Sequence, residues 1–216
     1  MHILCQPVMS TTLAATRLAW NFKSYMKMRC RGSERIDPNM RVPGLILNLG
    51  SGKDWNAEYL NADIQASKNP DWLVDISKVK WGDTLKTRFG QLEIVPSMFE
   101  AIVANDVLEH IPNLVDAMTN CKELLMVGGQ MRIHVPYDLS LGAWQDPTHV
   151  RAFNENSWRY YTDWHWYLGW PDRFELTTLE MRLSKVGEAL ELPQDEIIRT
   201  PRAVDSMYVV LTKVKP

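Results

Sequence analysis

The feature that most constrains this chain is a short apolar run that leads directly into a turn with two glycines. Residues 45–49 read Leu-Ile-Leu-Asn-Leu, and Gly50, Ser51 and Gly52 follow without a spacer. Such a run before a glycine is typical of a strand buried in a parallel sheet. Glycine lacks a Cβ and tolerates a positive φ, so this turn can closely approach a bound ligand. The segment predicts a nucleotide-binding turn, although a GxG turn alone is also compatible with a purely structural role.

Further apolar runs alternate with longer segments able to form helices, which is the pattern of βα units around a parallel sheet. Residues 114–126 have helical periodicity and stop at Gly128 and Gly129, as a helix end often does. Two late runs alternate apolar and polar residues, which predicts antiparallel strands that close the sheet. The predicted strands are 45–49, 58–63, 72–75, 99–104, 130–135, 174–183 and 206–214.

The length and charge distribution predict one main domain with a basic extension. The 216 residues suffice for a single core, and 45% hydrophobic with 23% charged residues is typical of soluble globular domains. The net charge is −2, yet residues 1–40 carry six Lys or Arg against two acids. Residues 1–40 therefore form a predicted extension, with a helix over 11–28 and a proline-containing linker after it. Residues 41–216 form the predicted main domain. The basic arm could contact phosphate or a membrane surface, or be a solvated tail.

Cysteine and hydropathy patterns exclude two classes of protein. No run of about 18 apolar residues exists, so no membrane-spanning helix is expected. Cys5, Cys30 and Cys121 are odd in number and form no CxxC pair, which disfavours a disulfide framework or a zinc site. We interpret them as reduced thiols of a cytoplasmic protein.

Two acids stand where nucleotide-binding folds need them. Asp63 ends the second predicted strand, where a carboxylate can accept hydrogen bonds from two ribose hydroxyls. Asp75 ends the third and could accept from an adenine amino group while Ile76 packs against the ring. The alternative for each acid is a helix N-cap or a surface position. Their order behind the glycine turn favours the ligand interpretation.

Residues 44–135 resemble the class I S-adenosylmethionine (SAM)-dependent methyltransferases. The resemblance rests on LNLGSGKDW, NADI, LVDI, NDVLEHI and GGQMRIHVP, whose combination is specific although each piece alone is not. It implies an α/β, Rossmann-like fold with a seven-stranded sheet, a reversed last hairpin, helices on both faces and SAM across the strand ends. The implied cofactor residues are Asn48, Gly50, Ser51, Gly52, Asp63, Ile64, Asp75, Ile76, Asn105, Asp106 and Val107.

The resemblance also assigns roles to these positions. The glycine turn would wrap the methionine part of SAM, and the loop at Asn105 and Asp106 would pass under the sulfonium. Asn48 departs from the pattern, because the family usually has an acid there that holds the SAM amino group through water. Asn can still accept a hydrogen bond, so weaker binding is expected rather than none.

Residues 145–153, which contain the DPTHVR run, follow the fifth strand, where methyltransferases insert substrate-binding elements. The run resembles a branch of small methyltransferases common among glycan and surface-polysaccharide genes. His149 could act as general base, with Asp146 orienting it, and His110 is the rival base. Alternatively, the run is a turn in which Asp146 caps a segment and His149 only packs. Asp146, His149 and His110 show no compelling metal-ligand spacing, so no metal is expected.

These patterns predict methyl transfer from SAM to a hydroxyl, or secondarily an amine, of a small molecule or glycan precursor. Nucleic acid is disfavoured as a substrate, because the Asp/Asn-Pro-Pro-aromatic and Pro-Cys motifs of base methylation are missing. One alternative is a non-catalytic SAM- or nucleotide-binding module or partner subunit, which Asn48 favours. Another is an NAD-dependent oxidoreductase, which should show a third glycine. The sequence gives no indication of oligomeric state.

An aromatic segment over 144–170 contains five of the nine tryptophans. Such side chains could form a stacking wall for a sugar ring or another flat substrate. The alternative is that they pack the core of a lid.

Overall fold

The structure is a computed structural model that describes residues 44–215, which form nine β-strands in two sheets. The helix predicted over 11–28 and the linker after it lie outside the described residues. The strands are β1 (Ile46–Leu49), β2 (Leu60–Asp63), β3 (Trp72–Leu73), β4 (Thr84–Thr87), β5 (Gly90–Glu93), β6 (Phe99–Asn105), β7 (Leu125–Pro136), β8 (Arg173–Leu183) and β9 (Val204–Val214).

Seven strands form one sheet in the order β3-β2-β1-β6-β7-β9-β8, and β4 pairs with β5 in a separate hairpin. The first five strands in that order are parallel, whereas β9 runs antiparallel to both of its neighbours. This is the seven-stranded sheet with a reversed last hairpin that the resemblance implies. The predicted α/β, Rossmann-like fold class is confirmed.

The order of the strands creates a switch point beside β1. The chain passes from β1 outward to β2 and β3, and then returns to place β6 on the other side of β1. In open α/β sheets, ligands bind at such a point, outside the carboxyl ends of the strands. Gly50 follows β1 and Asp106 follows β6, so both lie at this edge.

The connections between strands contain short helices. Within 44–215, α1 (Leu114–Leu124) is the only α-helix longer than four residues, and no helix is long and apolar enough to cross a bilayer. Single 3-10 turns, Ala66–Lys68 and Ile76–Lys78, follow β2 and β3. The remaining α-helices are the single turns α2 (Gly142–Gln145), α3 (Lys185–Glu188) and α4 (Gln194–Ile197).

The boundary between α1 and β7 differs from the prediction of a helix that continues to Met126 and stops at two glycines. β7 begins directly after α1, at Leu125, and its register against β6 shifts there. Gly128 has a φ of 81°, and a Cβ at Gly129 would lie 2.8 Å from the Met126 carbonyl oxygen. The two glycines therefore permit an irregular entry into β7 rather than cap the helix.

The core lies along the central strands. Leu47 on β1, Ile102 on β6 and Ile133 on β7 are fully buried, and burial of such a side chain contributes roughly 1.5–3 kcal/mol. Trp158 is also buried and stacks on Phe153 with ring centroids 5.4 Å apart. Phe153 also forms an isolated bridge with Tyr137, directly after β7. The DPTHVR run lies between these two residues in sequence and is therefore held near the end of β7.

Candidate functional site

The turn after β1 is packed against the loop that follows β6. Gly50 and Gly52 have φ values of 63° and 36°, in the left-handed region that favours glycine. A Cβ at Gly50 would collide with Cγ2 of Val107. Ser51 is buried, and its N–H donates to the Ala62 carbonyl at 3.0 Å. The turn therefore has no room for a side chain at Gly50.

Asp63, the last residue of β2, holds the glycine turn from the other side. Its Oδ2 accepts a hydrogen bond from the Gly52 N–H at 2.9 Å, and its Oδ1 accepts from the Gln65 N–H at 2.8 Å. A carboxylate oxygen has further acceptor capacity, so Asp63 can also accept from ribose hydroxyls. The buried carboxylate is thus fixed by two backbone donors.

Asp75 caps the 3-10 turn Ile76–Lys78. Its Oδ1 accepts from the Ser77 N–H at 3.1 Å and from the Ser77 hydroxyl at 2.7 Å, while Oδ2 pairs with Lys78 Nζ at 2.8 Å. The hydrogen bond from Lys78, followed by those from Ser77, lowers the pKa of Asp75. Ile76 is buried, whereas Ile64 is 68% exposed. The contacts of Asp75 are those of the N-cap that the sequence analysis gave as the alternative. Of the two isoleucines, Ile64 projects into solvent and Ile76 does not.

Asn48 stabilises the loop over 50–59 through hydrogen bonds from its side-chain amide. Its Nδ2 donates to the Asp54 carbonyl at 2.8 Å and to Asn61 Oδ1 at 2.9 Å. Asn61 Oδ1 also accepts from the Asn56 N–H at 2.9 Å. An acid at position 48 could not donate these bonds, so Asn48 suits the loop that this chain has.

The loop after β6 is held by a histidine that the sequence analysis did not single out. Asp106 has a φ of 52°, and its Oδ1 lies 2.8 Å from His134 Nδ1. His134 Nε2 lies 2.9 Å from the Ser206 hydroxyl on β9. The His134 hydrogen bond lowers the pKa of Asp106. Asn105, beside it, is exposed.

A cleft of about 630 Å³ lies at the switch point, within the usual size range of small-molecule sites. His110 and Thr148 line this cleft. Five other predicted site residues do not line it: Asn48, Ser51, Asn105, Asp146 and His149. Eight of the predicted cofactor residues form its wall: Gly50, Gly52, Asp63, Ile64, Asp75, Ile76, Asp106 and Val107.

The DPTHVR run packs onto the NDVLEHI segment. The Val150 N–H donates to the Glu109 carbonyl at 2.9 Å, and Arg151 Nη2 donates to the Ile111 carbonyl at 2.8 Å. The two segments are about 40 residues apart in sequence, so the fold brings together motifs that the sequence could only place near the same sheet edge.

The two predicted base histidines have different partners. His149 Nδ1 lies 2.9 Å from the Ala143 carbonyl oxygen, and His110 Nδ1 lies 2.9 Å from the Thr148 hydroxyl. Asp146, predicted to orient His149, instead accepts from the Thr148 hydroxyl at 2.7 Å, and the Thr148 hydrogen bonds lower its pKa. The orienting chain that begins at Asp146 therefore reaches His110.

Glu109 is a second residue, after His134, that the sequence analysis did not single out. It is 1% exposed, and neither of its carboxylate oxygens has a hydrogen-bond partner. Burial raises the pKa of Glu109 to about 7. One ligand atom from each of Glu109, His110 and His149 lies within 4.8 Å of the others. The adjacent Glu109-His110 pair and the separate DPTH run are the sequence signals for this cluster.

The aromatic side chains of residues 144–170 are divided between the core and the surface. Some are therefore packing residues, and others are exposed as a stacking surface would need. Trp158, Tyr161 and Trp170 are buried. Tyr160 contacts Trp164 and Tyr167 edge to face, with ring centroids 5.3 and 5.6 Å apart. The exposed members are Trp144, Tyr160, Trp164, Trp166 and Tyr167.

Comparison with known proteins supports the fold. No family model matches this sequence, and no curated protein is significantly similar to it. A SAM-dependent methyltransferase from Archaeoglobus fulgidus has a similar structure, with a TM-score of 0.53, 15% identity, and coverage of 94% of this chain and 95% of that one. YcgJ from Bacillus subtilis gives a TM-score of 0.50 with 10% identity over 91% and 99% of the two chains.

A third similar structure is a chain of the Haloferax volcanii complex between the Trm112 methyltransferase activator and a methyltransferase. Its TM-score is 0.50, with 10% identity over 94% of this chain and 93% of that one. At these identities the likeness concerns the fold. The chain thus has the seven-stranded fold found in solved SAM-dependent methyltransferases, with a cleft at its switch point.

Proposed function

We propose that the protein is a SAM-dependent methyltransferase that acts on a hydroxyl, or secondarily an amine, of a small molecule or glycan precursor. The observation that carries the proposal is the hydrogen bond between the Asp63 carboxylate and the Gly52 N–H. It joins a ribose-type acceptor to a glycine turn at the switch point of a methyltransferase fold.

The residues that line the cleft offer groups that suit the parts of SAM. Gly50 and Gly52 leave the backbone accessible for the methionine part, and Asp63 supplies acceptors for the ribose. Ile76 offers an apolar side chain for the adenine, and Asp75 can accept from its amino group. When bound, SAM supplies an electrophilic methyl group on a sulfonium.

The chain's own residues would position the acceptor and take its proton. His110 lines the cleft, whereas His149 lies behind it with its ring centroid 4.6 Å from that of His110. This placement favours His110 as the proton acceptor, with Thr148 and Asp146 as positioning residues. His149 remains the second candidate through its contact with His110.

The exposed aromatic side chains support a glycan or another flat acceptor. Trp166 and Tyr167 are 67% and 69% exposed, so they offer accessible aromatic surface for stacking. Arg159 lies over the Trp164 ring at 5.0 Å, which holds this ring in place. The glycan assignment otherwise rests on the DPTHVR resemblance.

Calorimetry of the full chain with SAM tests the cofactor assignment. We expect saturable binding that is weakened about tenfold or more by Asp63→Ala, whereas Asp195→Ala, an exposed acid in α4, leaves it unchanged. No binding at millimolar SAM, or equal binding by the Asp63 variant, would refute the proposal.

Two further measurements separate the alternatives. A thermal shift produced by SAM but not by NAD excludes the oxidoreductase. Formation of S-adenosylhomocysteine with a panel of hydroxyl-bearing glycosides and amines separates an enzyme from a non-catalytic SAM-binding module, which binds SAM without turnover.

A further inference from the structure

The buried carboxylate of Glu109 has no hydrogen-bond partner among residues 44–215. Both oxygens are inaccessible to solvent and form no hydrogen bond. An isolated buried carboxylate is strongly unfavourable, so such groups are normally paired or coordinate a metal ion. The side chains of His110 and His149 lie close to this carboxylate, and each offers a ring nitrogen as a possible metal ligand.

The hydrogen bonds of the two histidines determine which nitrogen is available. The Ala143 carbonyl can only accept, so His149 Nδ1 must carry the hydrogen and donate it. Asp146 accepts from the Thr148 hydroxyl, which leaves that hydroxyl to accept from His110 Nδ1. In the neutral form of either imidazole, the lone pair is therefore on Nε2.

We propose that Glu109, His110 and His149 bind one divalent transition-metal ion through the carboxylate and the two Nε2 atoms. Two imidazoles and a carboxylate are donors that suit Zn²⁺ and similar ions and not Mg²⁺. One possible ligand atom from each of the three residues lies within 4.8 Å of those of the other two, which is close enough for the three donors to converge on a common ion. Hydrogen bonds from the Nδ1 atoms to Ala143 and Thr148 orient the rings as outer partners of metal-binding histidines do.

Three protein ligands leave at least one coordination position open, as in catalytic zinc sites. His110 also lines the cleft, so the open position adjoins the cofactor site. For this step the inference rests on the proposed function: the acceptor hydroxyl occupies the open position and releases its proton to solvent water more readily. The imidazoles are then ligands, and the ion replaces His110 as the group that activates the acceptor.

Metal binding is tested on the full chain after removal of metals with a chelator, in the absence of SAM. Zn²⁺ is titrated in competition with a chromophoric chelator, and Mg²⁺ is tested in parallel. We expect one equivalent of Zn²⁺ with a dissociation constant of about 1 µM or below, and no binding of Mg²⁺ in the same range. Zn²⁺ affinity weaker than about 100 µM would overturn the proposal.

Variants then locate the site. Glu109→Gln and His149→Ala should each weaken Zn²⁺ binding at least about tenfold while circular dichroism shows a folded protein. Glu180→Gln, an exposed acid on β8, and His165→Ala, a histidine that contacts the Trp170 carbonyl, should change it less than about twofold. Unchanged Zn²⁺ affinity in both folded ligand variants would refute the assignment.

Cobalt provides a second readout that needs no variant. Co²⁺ bound to wild-type protein should give visible absorption bands of a four- or five-coordinate site, and Zn²⁺ should displace them; octahedral bands only would overturn the proposal. Zn²⁺ binding without SAM binding would refute the proposed function and leave the metal site intact. SAM binding without Zn²⁺ binding would do the opposite.

Discussion

At the scale of single residues, Gly50 is where backbone conformation and packing both require glycine. Its φ is positive, and a Cβ would meet Val107. Gly82 provides a matched control, since its φ is 82° and nothing lies within 4 Å of a Cβ there. The two positions therefore separate backbone strain from steric contact.

We expect Gly82→Ala to lower the free energy of unfolding by about 1–2 kcal/mol, the strain of a left-handed alanine. Gly50→Ala should cost about 1–3 kcal/mol more, because Val107 or the turn must move. Urea denaturation measures both values. Equal losses, or no partial recovery when Val107→Ala is added to Gly50→Ala, would show that the Val107 contact does not constrain the turn.

His134 should control the ionisation of Asp106. Because the His134 hydrogen bond is the main cause of the lowered Asp106 pKa, His134→Ala should raise that pKa towards the ordinary value for Asp. Asp146 is the internal control, since Thr148 lowers its pKa. Carboxyl-carbon NMR titration reports both groups, and an unchanged Asp106 pKa would contradict the assignment.

At the scale of elements, hydrophobic patterning predicts the strands well and their ends less well. The run over 45–49 becomes β1 because a parallel strand buried on both faces is continuously apolar. The third strand is shorter than predicted, since Asp75 caps a 3-10 turn instead of extending β3. The glycines after α1 show the same limit, because helix caps and strand bulges both require glycine.

Contacts that depend on register could not be predicted from the sequence. His134 meets Asp106 because β7 pairs with β6 so that His134 lies opposite Asn105. Glu109 meets His149 only once the DPTHVR run packs on the NDVLEHI segment. In contrast, the contact of Asp63 with the glycine turn can be predicted from the sequence, because Asp63 ends a strand that lies beside that turn. The part of the cleft around the glycine turn is therefore more predictable than the part around the DPTHVR run.

Helix α1 contains a thiol that should be inert in the folded protein. Cys121 is fully buried, and desolvation raises its pKa to about 12, so little thiolate forms near neutral pH. We expect no alkylation of Cys121 by iodoacetamide at pH 8 in native protein and complete alkylation in denaturant. Peptide mapping by mass spectrometry measures this site alone, and rapid native labelling would show that α1 opens readily.

At the scale of the whole molecule, the seven strands of the main sheet and the cleft that the structure describes within 44–215 are formed by residues 46–214. The predicted domain over 41–216 contains all of these elements, and its boundary at 40/41 stays a prediction. Because the central strand β1 starts only five residues after that boundary, the division is a demanding test of the domain assignment.

A fragment of residues 41–216 should unfold cooperatively, with the same urea midpoint and the same SAM dissociation constant as the full chain. The physical reason is that the fragment contains the buried contacts of β1, β6 and β7 and the hydrogen bonds of Asp63 that the structure describes. A fragment that begins at residue 51 lacks β1 and should not fold, because the parallel sheet then loses the strand between β2 and β6. A loss of SAM affinity by the longer fragment, with its stability retained, would instead place part of the binding site in residues 1–40.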